Sequence, residues 1–216
     1  MSPVELFRPR TAAPLLLVLA LWSSASFAGL KEGLAAFDKG DFRTAQAELQ
    51  PLAAKGDVSA EYTLGIASYN ALGTPRDYPL ALQWFAKAAA QGLAPAQYCL
   101  GVMYAHGQGV REDPAIAINW YRRAAMQGNA PAFHNLAVHY GSGRGVAQDM
   151  AASLAYFMLS ADQGLKDDEN RRDMLVLNLK PQQIASAKAM AKAIKAAITH
   201  PKLPPLPQLG DLSEGK

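Results

Sequence analysis

The sequence predicts an all-α protein, a right-handed α-solenoid built from helix-turn-helix repeats. The prediction depends mainly on a period of 36 residues, because windows 57–92, 93–128 and 129–164 align with one another without a gap. A fixed period of this length is typical of stacked repeats. The aligned positions share small, apolar, acidic and aromatic residues: Ala60, Ala96 and Ala132; Leu64, Leu100 and Leu136; Gly73, Gly109 and Gly145; Asp77, Asp113 and Asp149; Trp84, Trp120 and Tyr156; Gly92, Gly128 and Gly164.

The first helix of the middle window is predicted from about 94 to 105. Within it, Ala96, Leu100 and Tyr104 recur every four residues, which places them in an apolar stripe on one face. A glycine-containing loop, His106-Gly107-Gln108-Gly109, follows. Because glycine readily adopts the positive φ values that end a helix, we expect the first helix to stop there.

The second helix of the same window is predicted to begin after Asp113. Aspartate is a favourable N-cap, and Pro114 suits the first helical position because its missing N–H has no partner there. Gly128 ends the helix. We expect its apolar face to consist of Ile116, Ala117, Trp120, Tyr121, Ala124 and Ala125. One helix pair cannot bury such a face alone, so neighbouring pairs are expected to stack.

The run at 100–128, LGVMYAHGQGVREDPAIAINWYRRAAMQG, resembles a Sel1-like repeat, a relative of the tetratricopeptide repeat with a longer loop. The resemblance covers 57–164 and, in degraded form, about 30–56 and 165–199. The first copy departs from the pattern at Ala71 and Thr74-Pro75, and the third has Tyr156 in place of tryptophan. The resemblance implies an interaction adaptor or scaffold without catalytic activity, and it does not choose between envelope assembly, polysaccharide export, signalling and host contact.

The predicted solenoid, 29–199, has an irregular unit at each end. Residues 30–56 form a shortened opening repeat with a tight turn at Gly40-Asp41. Residues 165–199 take the place of a fourth repeat, but Asp168 and Arg172 stand where the other copies have alanine and leucine. A solenoid must end in water, so we interpret this polar unit as the C-terminal cap.

Two further features follow the repeats. Lys188, Lys192 and Lys195 share one face of the last predicted helix, which indicates either a solvated cap surface or a docking patch for an anionic partner. Residues 200–216 are rich in proline and are predicted to be a disordered tail. The tail could alternatively serve as a polyproline ligand.

The first residues have the pattern of a secretory signal peptide. Arg8 and Arg10 precede an apolar run at 12–22, and Ser26 and Ala28 occupy the −3 and −1 positions of a cleavage site. The run is shorter than the roughly 20 residues that span a bilayer. We therefore predict a signal peptide at 1–28, cleaved after Ala28, and a periplasmic or secreted protein without a stable membrane span. An uncleaved N-terminal anchor is the alternative.

Charge and cysteine content exclude several kinds of partner. The 21 Lys and Arg residues against 18 Asp and Glu give a net charge of +3, too weakly basic and too interspersed to indicate nucleic-acid binding. Cys99 is the single cysteine, so no disulfide can form within the chain. It is interpreted as a small buried hydrophobe, with an intermolecular thiol role as the alternative.

No catalytic or metal-binding motif is found. His134 and His139 are five residues apart and do not share a helix face as paired metal ligands would. We predict no cofactor and no metal. Some cysteine-rich relatives of this repeat family are linked to β-lactam binding or hydrolysis. An enzyme of that type is disfavoured, because those relatives have paired cysteines in each unit and this chain has none.

The candidate binding surface lies on the first helices, which line the concave side of tetratricopeptide-like solenoids. Stacked positions opposite the apolar stripe, with their neighbours, would contact a partner protein or peptide in a groove: Tyr62, Tyr98, His134, Glu61, Gln97 and Phe133. The alternative interpretation is that the two tyrosines pack between successive units.

Overall fold

The computed structural model describes residues 28–198, and the regular elements in that range are α-helices. Residues 1–27 and 199–216, with most of the predicted signal peptide and the predicted tail, lie outside the described residues. The helices are α1 (28–38), α2 (Phe42–Ala53), α3 (Val58–Asn70), α4 (Tyr78–Ala90), α5 (Ala94–His106), α6 (Pro114–Ala125), α7 (Ala130–Ser142), α8 (Met150–Ala161), α9 (Lys166–Asn178) and α10 (Pro181–Ala197).

The helices form a stack of repeats. Each of α3, α5 and α7 packs both on the second helix of its own unit and on the second helix of the unit before it. One hydrophobic core runs through the three full repeats and into α10, and a smaller cluster joins α1, α2 and α3. This arrangement confirms the predicted all-α solenoid of helix-turn-helix repeats.

The recurring aspartates cap the second helices, as predicted. Asp77 Oδ1 accepts a hydrogen bond from the backbone N–H of Leu80 at 2.9 Å, and Asp113 Oδ1 accepts two such bonds at 3.0 Å. Asp149 binds the start of α8 in the same way. Each cap satisfies N–H groups that have no partner within the helix.

The two helices of a repeat approach closely at a glycine of the first helix. A Cβ atom at Gly101 would lie 2.4 Å from the ring of Tyr121, and one at Gly65 would lie 2.6 Å from the ring of Phe85. The opening repeat has Gly33 against Leu49. A glycine on the first helix thus faces a large buried side chain on the second, and the two backbones approach closely.

The predicted apolar face of the second helix is therefore partly wrong. Tyr121 is buried, whereas Trp120 is only half-buried, with the Arg123 guanidinium 4.7 Å from its ring. Ile116 is exposed. Successive helical residues differ by about 100° in direction, so Ala117 and Tyr121 point into the stack while Ile116 and Trp120 lie at its edge.

The C-terminal cap also differs from its prediction. Asp168 is fully buried, accepting hydrogen bonds from Ser160 and His134, and does not form part of a solvated surface. Both α9 and α10 pack on α8, but α10 does not pack along α9. Among the predicted surface lysines, Lys195 pairs with Asp162 at 2.9 Å. None of the helices between residues 28 and 198 is both long and apolar enough to cross a bilayer.

Candidate interaction cleft

Most of the side chains predicted to line a groove lie inside the stack. Glu61, Tyr62, Gln97 and Phe133 are buried. The Tyr62 ring is 5.9 Å from that of Phe85, on the second helix of its own repeat. The predicted placement on an open surface is therefore wrong for these four residues, because the second helix of each unit and the neighbouring units cover them. A binding role for this side of the array stays a prediction.

Glu61 and Gln97 each accept a hydrogen bond from the glutamine that ends their own repeat, and that glutamine also donates to the repeat before. Gln91 Nε2 donates to Glu61 Oε2 at 2.8 Å and to the Gly56 carbonyl at 3.0 Å. One repeat later, Gln127 donates in the same way to Gln97 Oε1 at 2.9 Å and to the preceding Gln-Gly carbonyl at 2.8 Å. The glutamine that ends each of these repeats thus joins it to the end of the repeat before. Sequence reasoning found the recurring Gln-Gly pair but not this contact.

Tyr98 and His134, the other two predicted residues, are half-buried. The Tyr98 ring lies 5.9 Å from that of Tyr121, within the same repeat. His134 Nδ1 is 2.8 Å from the Asp168 carboxylate and its ring packs edge-on against Phe157. His134 therefore connects the third repeat to the cap, and the structure does not bring the six predicted residues together in one open groove.

The side chains of His139 and Cys99, both considered in the sequence analysis, are buried as well. Burial lowers the pKa of His139, whose Nδ1 lies 2.8 Å from the Arg144 carbonyl. Cys99 is buried, so its thiol is out of reach of solvent. The same burial raises the pKa of the thiol and favours its protonated form. Among residues 28–198, no group of three or more His, Cys, Asp or Glu side chains could hold a metal ion.

An open cleft lies between α2 and α4, with α3 as its floor. It has a volume of about 360 Å³. The side chains of Phe37, Phe42 and Trp84 provide aromatic walls, while Leu49 and Leu64 contribute to its apolar base. The Phe37 and Phe42 rings meet edge to face at 5.4 Å. An apolar concave site of this size can hold a few side chains of a peptide.

The cleft exists because the first full repeat departs from the pattern of the others. Thr74 stands where the later loops have valine, and Pro75 where they have Arg111 and Ala147; both residues line the cleft from the loop between α3 and α4. Gly73 has a φ of +75°, and a Cβ there would lie 2.6 Å from Cβ of Phe42. Only glycine therefore lets this loop approach α2 so closely. The departures noted in the sequence form one wall of the cleft.

The rim of the cleft is polar. Arg76 and Asp77 are the charged side chains among the described residues that line it. Asp77 is engaged as the N-cap of α4, and Arg76 Nη1 donates to the Tyr78 hydroxyl at 3.2 Å. The Lys87 ammonium lies 4.2 Å from the centre of the Trp84 ring, just outside the cleft. Apolar walls with a few polar groups at the edge suit recognition of an apolar peptide segment.

These features define an α-solenoid repeat protein of the tetratricopeptide-like class, with an apolar cleft at its opening end. Three copies of the Sel1 repeat model match residues 58–93, 94–129 and 130–165, half of the chain, and each match starts one residue later than the windows identified from the sequence. The chain belongs to the Sel1 repeat family. Repeats of this family generally serve as scaffolds for protein interaction.

Two solved structures share the fold. A Sel1 repeat protein from Oxalobacter formigenes is 24% identical, with a TM-score of 0.65 over 74% of this chain and 69% of that one. The c5321 protective antigen of uropathogenic Escherichia coli, which has an SLR fold, is 26% identical with a TM-score of 0.71. That match covers 88% of this chain but 43% of the antigen. No curated protein sequence matches the chain.

Proposed function

We propose that this protein is a non-catalytic adaptor that holds an apolar segment of a partner protein in the cleft between α2 and α4. The single observation that supports this assignment is the cleft itself, about 360 Å³ in volume and walled by three aromatic side chains. Aromatic residues are enriched at protein interfaces and typically supply much of the binding energy there. The general role of Sel1 repeats as interaction scaffolds agrees with it.

The proposed partner segment is a short peptide or helix with two or three apolar side chains. The walls and base of the cleft offer no buried charge that would need an ionic partner, and the charged groups lie at the rim. We place the adaptor in the cell envelope, because the pattern at 1–28 is that of a secretory signal peptide. The polar rim would orient the segment, while the aromatic walls would supply most of the affinity.

The test compares two tryptophans that occupy equivalent positions of successive repeats. Both Trp84 and Trp120 are half-buried, and each has a cation over its ring, but only Trp84 lines the cleft. Trp84→Ala should reduce recovery of the partner from envelope extracts at least tenfold, because truncating an aromatic anchor typically costs about 2 kcal/mol. Trp120→Ala should leave recovery near wild type.

Thermal melts of both variants control for folding. The two substitutions should lower the melting temperature by similar amounts, so a difference in binding reports on the cleft. Equal recovery of the partner by the two variants would exclude the cleft as the binding site. Loss of recovery with Trp120→Ala alone would move the binding site one repeat along the array.

A further inference from the structure

One charged position at the cleft distinguishes the first full repeat from the other two. Arg76 lies on the loop that leads into α4, where the second repeat has Glu112 and the third has Gln148. Glu112 Oε1 accepts a hydrogen bond from Arg144 Nη2 at 2.7 Å, and Gln148 Nε2 donates to the Gly141 carbonyl at 2.7 Å. The two later side chains are engaged within the array, whereas the first repeat has a cation at this position.

Arg76 is available to an anionic group of a bound segment. Among residues 28–198, no carboxylate forms a salt bridge with it. Its side chain is exposed, and Nη1 donates to the Tyr78 hydroxyl at 3.2 Å. A guanidinium has five N–H donors in a planar fork that matches a carboxylate. The single contact with Tyr78 therefore leaves most of the donors of Arg76 without a partner in the described residues.

The carboxylates near the cleft do not cancel this charge. Asp77 and Asp41 cap α4 and α2, where each accepts a hydrogen bond from a backbone N–H of the first turn. The positive end of the helix dipole further offsets their charge. Glu48 of α2 lies against the start of α1 and not in the cleft. Asp38, at the end of α1, is followed by the exposed Lys39.

Lys87 supplies a second cation near the other end of the cleft. Its ammonium lies 4.2 Å from the centre of the Trp84 ring, and α4 contains no Asp or Glu. The cleft follows α4 from Arg76 to Trp84. Asp77 and Lys87 are ten residues apart, or about 15 Å of helix. An extended segment, at about 3.3 Å per residue, covers that length in roughly four or five residues.

The position of these cations indicates which segments the cleft accepts. Apolar walls between two cations are complementary to apolar residues between two carboxylates. We propose that the cleft recognises an extended segment of about three apolar residues with an acidic residue on each side, one paired with Arg76 and the other beside Lys87. This inference rests on the function proposed above. Charges at the rim select the partner, because a segment of like charge is repelled.

Defined peptide pools test this preference on the full chain. Each fluorescently labelled pool has three central positions drawn from leucine, isoleucine, phenylalanine and methionine, with glutamate, glutamine or lysine on both sides. Fluorescence anisotropy should give an affinity about tenfold higher for the glutamate pool than for the lysine pool, with the glutamine pool between them. Added salt should narrow the difference, because it screens exposed charges.

Arg76→Glu tests the assignment of the cation, and Arg111→Glu is its matched control. Both arginines are exposed on equivalent loops and both substitutions change the net charge equally, but only Arg76 lines the cleft. Arg76→Glu should weaken binding of the glutamate pool about tenfold and strengthen binding of the lysine pool. A merely structural role of Arg76 would not produce that exchange of preference. Arg111→Glu should leave both affinities unchanged.

The outcomes separate this inference from the function on which it rests. Equal affinities for the three pools, with binding still lost in Trp84→Ala, would overturn the preference for acidic segments but keep the cleft as the binding site. A preference for glutamate that survives Arg76→Glu, or that Trp84→Ala leaves unchanged, would place recognition elsewhere and also overturn it. Failure of all three pools to bind would contradict both the adaptor function of the cleft and this inference.

Discussion

The middle repeat and the opening end of the array differ in how the loop of one unit contacts the unit before it. In the second repeat, Gln108 Oε1 accepts a hydrogen bond from the Tyr69 hydroxyl at 2.8 Å. In the third, Arg144 Nη2 occupies the same position and donates to the Ala105 carbonyl at 2.7 Å. In the first, the equivalent residue is Leu72, which has no polar group and lines the cleft.

This difference accounts for the cleft at the seam between the opening unit and the first full repeat. Each later loop has a polar side chain that reaches back to the end of the preceding first helix and closes the seam between units. The opening repeat has a shorter turn at Gly40-Asp41 and meets a loop with Leu72, so at this loop the seam has apolar walls and lacks the polar side chain that reaches back in the later loops. A surface suited to binding thus results from the loss of a contact between repeats.

The largest loss of unfolding free energy is expected for a substitution where the middle repeat is most tightly packed. Tyr121→Ala should destabilise the protein by about 3–5 kcal/mol, because the buried ring fills the space against Gly101. Trp120→Ala should cost less, about 1–2 kcal/mol, because that ring is only half-buried. Denaturant unfolding of both variants measures the difference. Equal losses would contradict the assignment of Tyr121 to the core of the repeat.

An intermediate loss of stability is expected when the hydrogen bond between Tyr69 and Gln108 is removed. Gln108→Leu gives the middle repeat the residue found at the opening end and leaves the Tyr69 hydroxyl without its acceptor. Burial already raises the pKa of Tyr69 to about 12, and an unsatisfied buried hydroxyl typically costs about 1–3 kcal/mol. Unfolding free energies measure the loss. The double variant Tyr69→Phe with Gln108→Leu should recover most of it, and a double variant as unstable as Gln108→Leu would exclude the hydrogen bond as the cause.

The smallest change in stability is expected at Glu61, which accepts a hydrogen bond from Gln91. Burial raises the pKa of Glu61, and the hydrogen bond from Gln91 only partly opposes the rise. A carboxyl group whose folded-state pKa is raised stabilises the fold at low pH, and this contribution is lost as the pH rises through that pKa. Glu61→Gln reproduces the Gln97–Gln127 pair of the next repeat and cannot ionise.

We therefore expect Glu61→Gln to be more stable than wild type at neutral pH, by about 1 kcal/mol or less. The gain should disappear below about pH 4, where an ordinary glutamate is protonated in both states. Thermal melts across that pH range measure it, and Glu32→Gln on α1 corrects for the loss of one surface charge. A gain that persists at low pH would exclude ionisation of Glu61 as its origin.

The repeated parts of the fold could be predicted from the sequence, because each copy supports the others. The 36-residue period gave the helix pairs and the capping aspartates, including Asp77 and Asp113. It did not distinguish Trp120 from Tyr121, since neighbouring aromatic residues on a helix both fit an apolar pattern. Their directions differ by about 100°, and only the packed structure shows that the second points toward Gly101.

The parts of the molecule that occur once could not be predicted in this way. Asp168 reads as a solvated cap residue, yet it is buried because Ser160 and His134 meet it from two other helices. The cleft depends on the first loop having Leu72 where later loops have a polar side chain. Only the structure shows that Leu72 and Phe37 line the same cleft. The prediction that Tyr62 lines a groove was wrong in its placement, because side chains opposite one stripe still face neighbouring helices.

The most direct test of the adaptor proposal is site-specific photocrosslinking in the cell envelope. Leu80 and Ile116 occupy the same position of successive repeats and are 37% and 38% exposed, but only Leu80 lines the cleft. A photoreactive amino acid at Leu80 should give a discrete adduct with a partner protein, with at least tenfold lower yield from Ile116. Equal yields from the two positions, or an adduct from Ile116 alone, would contradict binding in the cleft.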